Sequence, residues 1–357
     1  MLHFILKKMG TALLTLLGVV TVVFFLFQVL PGDPARMMLG QNESEAQISA
    51  VKKKYGFDQP MHVQFAYYLN DLSPLSVHTE VSGHYTSLKN GKYQATPLFD
   101  IGNRTIVVKI PYFRESFQKS GKPVTAIIAE TLPNTFVLAL AAISLALLLG
   151  VLLGIISALS KDRWPDKCIQ VVSTLGMSVP SFFSAILFAW FFGYVLHKYT
   201  HLEMTGSLYV VDDFGEGIHL QWKNLILPAI VLGIRPLAVV TQLLRNSLLE
   251  VFQQDYIRTA RAKGLNRTAV VRKHALKNAM NPVVTAISGW FASMLAGAVF
   301  VEYIFGWNGL GKEIVDALNT LDLPVIMGAV LVIATMFLLI NMLVDVIYAW
   351  LDPKVRR

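Results

Sequence analysis

Residues Arg245 to Pro282 read RNSLLEVFQQDYIRTARAKGLNRTAVVRKHALKNAMNP, and an apolar run long enough to cross a bilayer lies on each side of them. The stretch carries eight basic side chains (Arg245, Arg258, Arg261, Lys263, Arg267, Arg272, Lys273 and Lys277) against only Glu250 and Asp255. A loop this basic between two spans is expected to face the cytoplasm. Its local chemistry is that of ordered helices rather than a slack linker. Asp255 suits an N-cap and Gly264 a C′ stop, which predicts a short helix over Tyr256–Lys263. On a helical wheel Tyr256, Ile257, Ala260 and Gly264 share one side, small enough for another surface to approach, while Arg258 and Arg261 share another. A second helix is predicted from near Thr268, with Val271, Ala275 and Ala279 at four-residue spacing and Lys273 and Lys277 on a different face. Pro282 then marks entry into the next span.

Working outward, the 357 residues are 54% hydrophobic and 15% charged. A soluble domain carries about a quarter charged residues, so this composition defines a polytopic membrane protein. The net charge of +8 does not point to nucleic acid, because the basic residues sit mostly beside the spans. Cys168 is the single cysteine, which excludes an internal disulfide and a cysteine-based metal cluster.

The chain opens with Lys7 and Lys8 before Met9–Leu30, 22 residues that reach about 33 Å at ~1.5 Å each. That run is too long for a cleaved signal peptide, and PGDP follows it where small cleavage-site residues belong. Five further spans are expected at Asn134–Ser160, Cys168–Leu196, Leu225–Leu244, Val283–Val301 and Pro324–Leu351. The candidate inner loops carry Lys161, Arg163 and Lys167, then the eight bases of the opening stretch, then Lys354, Arg356 and Arg357; the short outer loops carry only Lys198, Lys223 and Lys312. Both termini are therefore expected in the cytoplasm. Between the first two spans, 31–130 form a long external region. Gln41 to Leu72 is predicted helical, with Lys52, Lys53 and Lys54 on a solvated edge. From about 73 to 111 the composition turns to Thr, Val, Tyr and Gly, and SLKNGKYQAT places Asn90-Gly91 between short strand-like runs as a hairpin turn, with TIVVKI as a further strand. The expected fold class is an all-α polytopic membrane protein of six transmembrane helices with a small β-containing external insertion after the first. Its domains are an N-terminal helix (1–30), the external region (31–130) and a five-helix core (131–357) containing the cytoplasmic loop 245–282.

Two features compete for chemistry. Gly306 to Lys312, GWNGLGK, fits the first seven positions of a phosphate loop, but Glu313 stands where a Ser or Thr would hold magnesium and no strand precedes it. A Gly-rich turn packing Trp307 is the better reading. No other segment resembles a nucleotide site, and no HExxH, GxSxG or His/Asp/Glu cluster is present, so neither a catalytic nor a metal site is expected. Within the spans, Arg235 stands beside Pro236, and Asp345 stands one turn after Asn341. Ionisable groups there are costly and often functional, so Arg235, Asn341 and Asp345 are candidates for a polar pathway. The structural alternative is that Arg235 pairs with a buried carbonyl and Asp345 approaches an interface.

DYIRTARAKGL followed by HALKNAMNPVV resembles the cytoplasmic loop of the inner-membrane permeases of ATP-binding-cassette importers, in the dipeptide/oligopeptide branch. The resemblance covers nearly the whole chain: PGDP, YGFDQP with VQFAYYL, ETLPNTFVLAL, SVPSFF, LILPAIVLG, FGWNGLG and LVDVIYAWLDPKVR occur in order. The chain departs from the general motif, Glu-Ala-Ala with a later Gly, by carrying Arg258-Thr259-Ala260 before Gly264, and has His274-Ala275-Leu276-Lys277 where Ile-x-Leu-Pro would stand. Both variants resemble the peptide branch. The resemblance implies an importer half-channel in the bacterial inner membrane. It would pair with a second, related permease, two cytoplasmic ATP-binding subunits that hold ATP and magnesium, and an external binding protein that delivers di- or oligopeptides. Asp255, Tyr256, Ile257, Arg258, Thr259, Ala260, Arg261, Ala262, Lys263 and Gly264 would then form the coupling helix seated on one ATPase. The same scaffold serves nickel and other small solutes in related importers. A passive channel or a membrane assembly factor is the reading from another class.

Overall fold

A computed structural model describes residues 2–29, 33–39, 44–81, 83–119, 121–211 and 217–351. Part of PGDP and the terminal basic cluster Lys354, Arg356 and Arg357 lie outside the described residues. The chain forms two compact units, one of Leu2–Glu130 with Ile314–Ala334, the other of Thr131–Glu313 with Thr335–Arg357.

In the first unit, α1 (Leu2–Val29) is followed by α2 (Pro34–Leu39), α3 (Glu45–Tyr55) and α4 (Met61–Leu72). Ser44 and Gln47 form a reciprocal capping box at the start of α3, and Gly56 ends it at φ +71°. Lys52 pairs with Asp33 at 2.6 Å, while Lys53 and Lys54 are exposed. Val20 and Phe24 of α1 pack with Tyr68 of α4 and Leu331. Three antiparallel strands follow, β1 (Leu75–Thr79), β2 (Ala95–Ile101) and β3 (Arg104–Lys109), in the order β1-β3-β2. The predicted hairpin turn is misplaced. Ile101 pairs with Arg104, so Gly102-Asn103 closes the hairpin, with Gly102 at φ +60°. Asn90-Gly91 instead ends a single 3-10 turn, Leu88–Asn90, where Gly91 takes φ +68°. Both dipeptides accept a left-handed residue; the strand register decides which one closes the hairpin.

This unit is organised around Asp71, which is fully buried. Its carboxylate accepts from Tyr85 Oη at 2.6 Å, Tyr93 Oη at 2.8 Å and Arg114 Nε at 3.2 Å. Its carbonyl accepts from Lys109 Nζ and from the Tyr112 amide. Burial pushes the Tyr85 and Tyr93 hydroxyls well above their ordinary range and pulls Lys109 down to about 8. Lower in the same unit, Asp322 accepts from Ser116 Oγ and from the amides of Phe117 (3.0 Å) and Gln118 (3.3 Å), tying 116–118 to the start of the last helix.

The second unit is helical apart from a two-stranded ribbon of β4 (Tyr209–Val211) and β5 (Ile218–Leu220). The chain enters it along α5 (Val124–Leu159), which begins ten residues earlier than the sequence indicates and runs through Pro133. Next come α6 (Trp164–Ser178), α7 (Ser181–Trp190), α8 (His197–Thr200) and α9 (Lys223–Val251). Within the basic loop lie α10 (Asp255–Ala262), α11 (Arg267–Val270) and α12 (Leu276–Ala279), and after it come α13 (Asn281–Gly297), α14 (Val299–Phe305), α15 (Leu310–Asn319) and α16 (Leu323–Leu351). Among the described residues, four helices are long and apolar enough to cross a membrane: Leu6–Gln28, Val124–Leu159, Lys223–Val251 and Leu323–Val346. The expected span Cys168–Leu196 is not straight. Pro180 separates α6 from α7, and the two make an angle of 108°. The expected span Val283–Val301 is likewise divided, α13 and α14 meeting at 55°. By length and composition the described residues therefore offer four candidate spans, or up to six if each bent pair is counted as one.

Candidate functional site: the basic loop and the polar groups of the spans

The helix within the basic loop is α10, Asp255–Ala262. Gln254 occupies the N-cap without a side-chain hydrogen bond, so Asp255 is not the cap but the first helical residue. An acidic group there still complements the helix dipole, and Arg258 Nη1 reaches it at 3.4 Å in the open. Lys263 is the C-cap, and Gly264 follows at φ +80°, with its amide donating to Arg261 O. Space around Gly264 is open, so its role is conformational rather than steric.

The small apolar face of α10 is spent inside the chain. Ile257 is 0% and Ala260 5% exposed, packed with Leu244, Leu248, Val270, Ala275, Ala279 and Val283. Tyr256 does not share that face; it is exposed, and its hydroxyl accepts from Asn278 Nδ2 at 2.8 Å. What α10 and the two residues after it present outward is Asp255, Tyr256, Arg258, Thr259, Arg261, Ala262, Lys263 and Gly264. The second predicted helix is present in three pieces: α11 (Arg267–Val270), a π turn over Val271–Ala275, and α12 (Leu276–Ala279). Asn266 caps it through Oδ1, which accepts from the Ala269 amide at 2.8 Å. Val271, Ala275 and Ala279 all face inward, as their spacing indicates, and Pro282 lies in the first turn of α13.

Not all eight bases belong to this outward surface. Arg245 is bound by Asp166 in a two-pronged pair, Nε to Oδ1 and Nη2 to Oδ2, each at 2.7 Å. Asp166 also accepts from Ser157 Oγ at 2.5 Å and from the Asp162 amide at 2.9 Å. This pair, with Asp166 buried and Arg245 half-buried, joins α6 to α9 and ties Arg245 into the fold. Arg267 donates to Leu159 O at the end of α5, 2.7 Å away.

The three polar candidates in the spans stand on two helices, α9 and α16. Arg235 lies in α9, which continues unbroken through Pro228 and Pro236. Its Nη2 donates to Val179 O at 3.4 Å, at the break between α6 and α7, and its buried Nε has no partner. Asn341 donates to Phe337 O of its own helix, and Asp345 is half-buried one turn on.

The phosphate-loop look-alike is filled by the chain itself. Gly306 ends α14 at φ +66°, and Trp307 is fully buried, donating from Nε1 to Asn134 O at 3.0 Å. Glu302, also fully buried, accepts from the amides of Gly311 (2.7 Å) and Lys312 (3.2 Å). The amides at the start of α15 that a phosphate would need are thus occupied by a carboxylate, and an added Cβ at Gly309 or Gly311 would collide with that carboxylate.

Residues 150–357 match the family described as binding-protein-dependent transport system inner membrane component, and 1–139 match the N-terminal region of the same membrane component. The chain is 31% identical to a dipeptide transport system permease protein of Alkalihalophilus pseudofirmus, over the full length of both. It is 34% identical to a glutathione transport system permease protein of Salmonella choleraesuis, over 100% of this chain and 99% of that one. A solved structure of the MetNI methionine ABC transporter, in inward facing conformations, matches 65% of this chain and 98% of its own at 15% identity and a TM-score of 0.48. The chain belongs to the binding-protein-dependent inner-membrane transport family. It is a transport permease, a multi-pass protein of the bacterial inner membrane.

Proposed function

We propose that this chain is one of two permease subunits of an ATP-driven importer that takes up di- or oligopeptides handed over by an external binding protein. The cargo reading rests on full-length similarity to relatives named for dipeptides and glutathione. The mechanical reading rests on one observation: α10 is anchored from behind by Ile257 and Ala260 and shows a basic, small-residue surface on its other side. An anchored helix transmits a push; a loose loop absorbs it. On this reading Asp255–Gly264 seats on a cytoplasmic ATP-binding subunit. ATP and magnesium belong to two such subunits, the second permease is a related but different chain, and both termini lie in the cytoplasm. The region 73–111, with its three strands, is then external and available to the binding protein. Arg235, with Asn341 and Asp345, belongs to the cargo pathway.

Purification of the tagged chain from its own membrane is the test. A second permease and the ATP-binding subunits should come with it, and the reconstituted complex should take up labelled dipeptide when given binding protein and ATP. A chain that purifies alone, and conducts without ATP, would be a channel instead. Uptake of nickel but not of peptide would keep the mechanism and change the cargo.

A further inference from the structure

The break between α6 and α7 opens a cavity of about 110 Å³ lined by Val179, Ser181, Ser184, Arg235, Trp290 and Ser293, among others. A single water needs about 10–15 Å³ of such space, so there is room for a small polar group and its neighbouring atoms. Three features give the cavity a sign. First, Arg235 brings a guanidinium to it, and among the described residues no carboxylate pairs with that cation. Among the described residues its one hydrogen bond is the long one to Val179 O, and the buried Nε has no partner there. Second, Ser184 and Ser293 line the cavity, and their hydroxyls make no hydrogen bond among the described residues. Third, α7 begins here behind Pro180 with no side-chain cap, so its ten-residue dipole adds positive potential at the same place. No acidic side chain lines the cavity.

Arg235 is half-buried, its Nε is a buried donor left unused, and a guanidinium offers a planar fork that matches a carboxylate. We propose that Arg235, with Ser184, Ser293 and the start of α7, forms a carboxylate subsite that receives the C-terminal carboxylate of the peptide in transit, the Trp290 ring walling its apolar side. This rests on the peptide-permease reading and adds to it a chemical requirement, a free carboxylate, at a named residue. Val179 O holds the guanidinium in place while the site is empty. The 3.4 Å bond is long enough to be given up when a charged acceptor arrives.

The test uses the assembled permease–ATPase complex in lipid nanodiscs, without binding protein, and two probes, dialanine and dialanine amide. Saturation-transfer NMR should show dialanine binding at least tenfold more tightly than the amide. Arg235→Gln should remove that preference, Arg235→Lys should restore part of it, and Ser184→Ala should reduce it by a smaller factor. Recovery of each variant in the intact complex controls for assembly. Equal binding of both probes by the natural complex overturns the subsite, as does a parallel loss of both probes in Arg235→Gln, which would mark a structural role. A complex that imports dialanine with its binding protein and ATP but shows no such preference refutes the subsite alone. A complex that imports no peptide at all refutes the permease reading with it.

Discussion

Two clusters of charge in this chain are built by opposite rules. Around Asp71 the charged groups are consumed internally: its carboxylate takes Tyr85, Tyr93 and Arg114, and its backbone carbonyl takes Lys109 Nζ and the Tyr112 amide. Along α10 only the apolar Ile257 and Ala260 are buried, and Arg258, Thr259, Arg261 and Lys263 stay exposed. Satisfied polar groups in a dry place fix a unique geometry. Exposed charges contribute little to folding, so a row of them on a helix anchored from behind is available to a partner. The Arg245–Asp166 pair shows the boundary between the two regimes, since Arg245 lies in the basic stretch by sequence and in the buried network by structure.

This contrast can be broken experimentally. The largest effect is expected from Asp71→Ala, which strands the Arg114 guanidinium in a buried site and should cost about 3–5 kcal/mol, read as a collapse of the thermal unfolding midpoint. Reversing Arg258 and Arg261 to Glu together should leave folded stability within about 0.5 kcal/mol and lower import about tenfold or more. A large loss of stability there would show that these charges belong to the fold after all. Gly264→Val forces a branched side chain into φ +80° and should cost about 1–2 kcal/mol in the loop, with import falling in step, as measured by uptake and by proteolysis of the loop. The smallest effect is on acidification. His78 is buried between Thr86 O and Ser76 Oγ, and burial holds its pKa below the ordinary 6.5. The unfolded chain therefore binds the proton first, and stability should fall as pH drops below 6.5, by no more than about 1.4 kcal/mol per pH unit. In His78→Gln that part of the slope should vanish from unfolding midpoints taken on either side of pH 6.5.

Local signals in the sequence proved legible where local forces decide. The 3.6-residue spacing of Val271, Ala275 and Ala279 puts them on the buried face, and Gly264 takes the left-handed conformation that a helix stop requires. Asp255 shows the limit of such reasoning, because Gln254 takes the extended cap conformation one residue earlier. Apolar length located the spans, but averaged hydropathy says nothing of direction, so the 108° turn at Pro180 was invisible although the proline stood in plain view. The Asp71 hub and the Asp166–Arg245 pair were beyond reach for a different reason. Their partners lie up to 43 and 79 residues away along the chain, and no periodicity encodes such a meeting. For the candidate site, the outward charges of α10 were legible. That Ile257 and Ala260 serve as its anchor was not, because an apolar face does not say whether its cover is internal or a partner.

The Glu302 cradle has a consequence for descent. The carboxylate at 302 and the missing side chain at 309 occupy one volume, so neither can drift alone: a methyl at Gly309 needs the acid gone, and losing the acid leaves two helix amides bare, while at Gly311 the Val299 backbone excludes a methyl in any case. Positions 302 and 309 should therefore be inherited as a single character, kept or exchanged together, and a chimera that joins them from different parents should fail at this turn even when both parents fold.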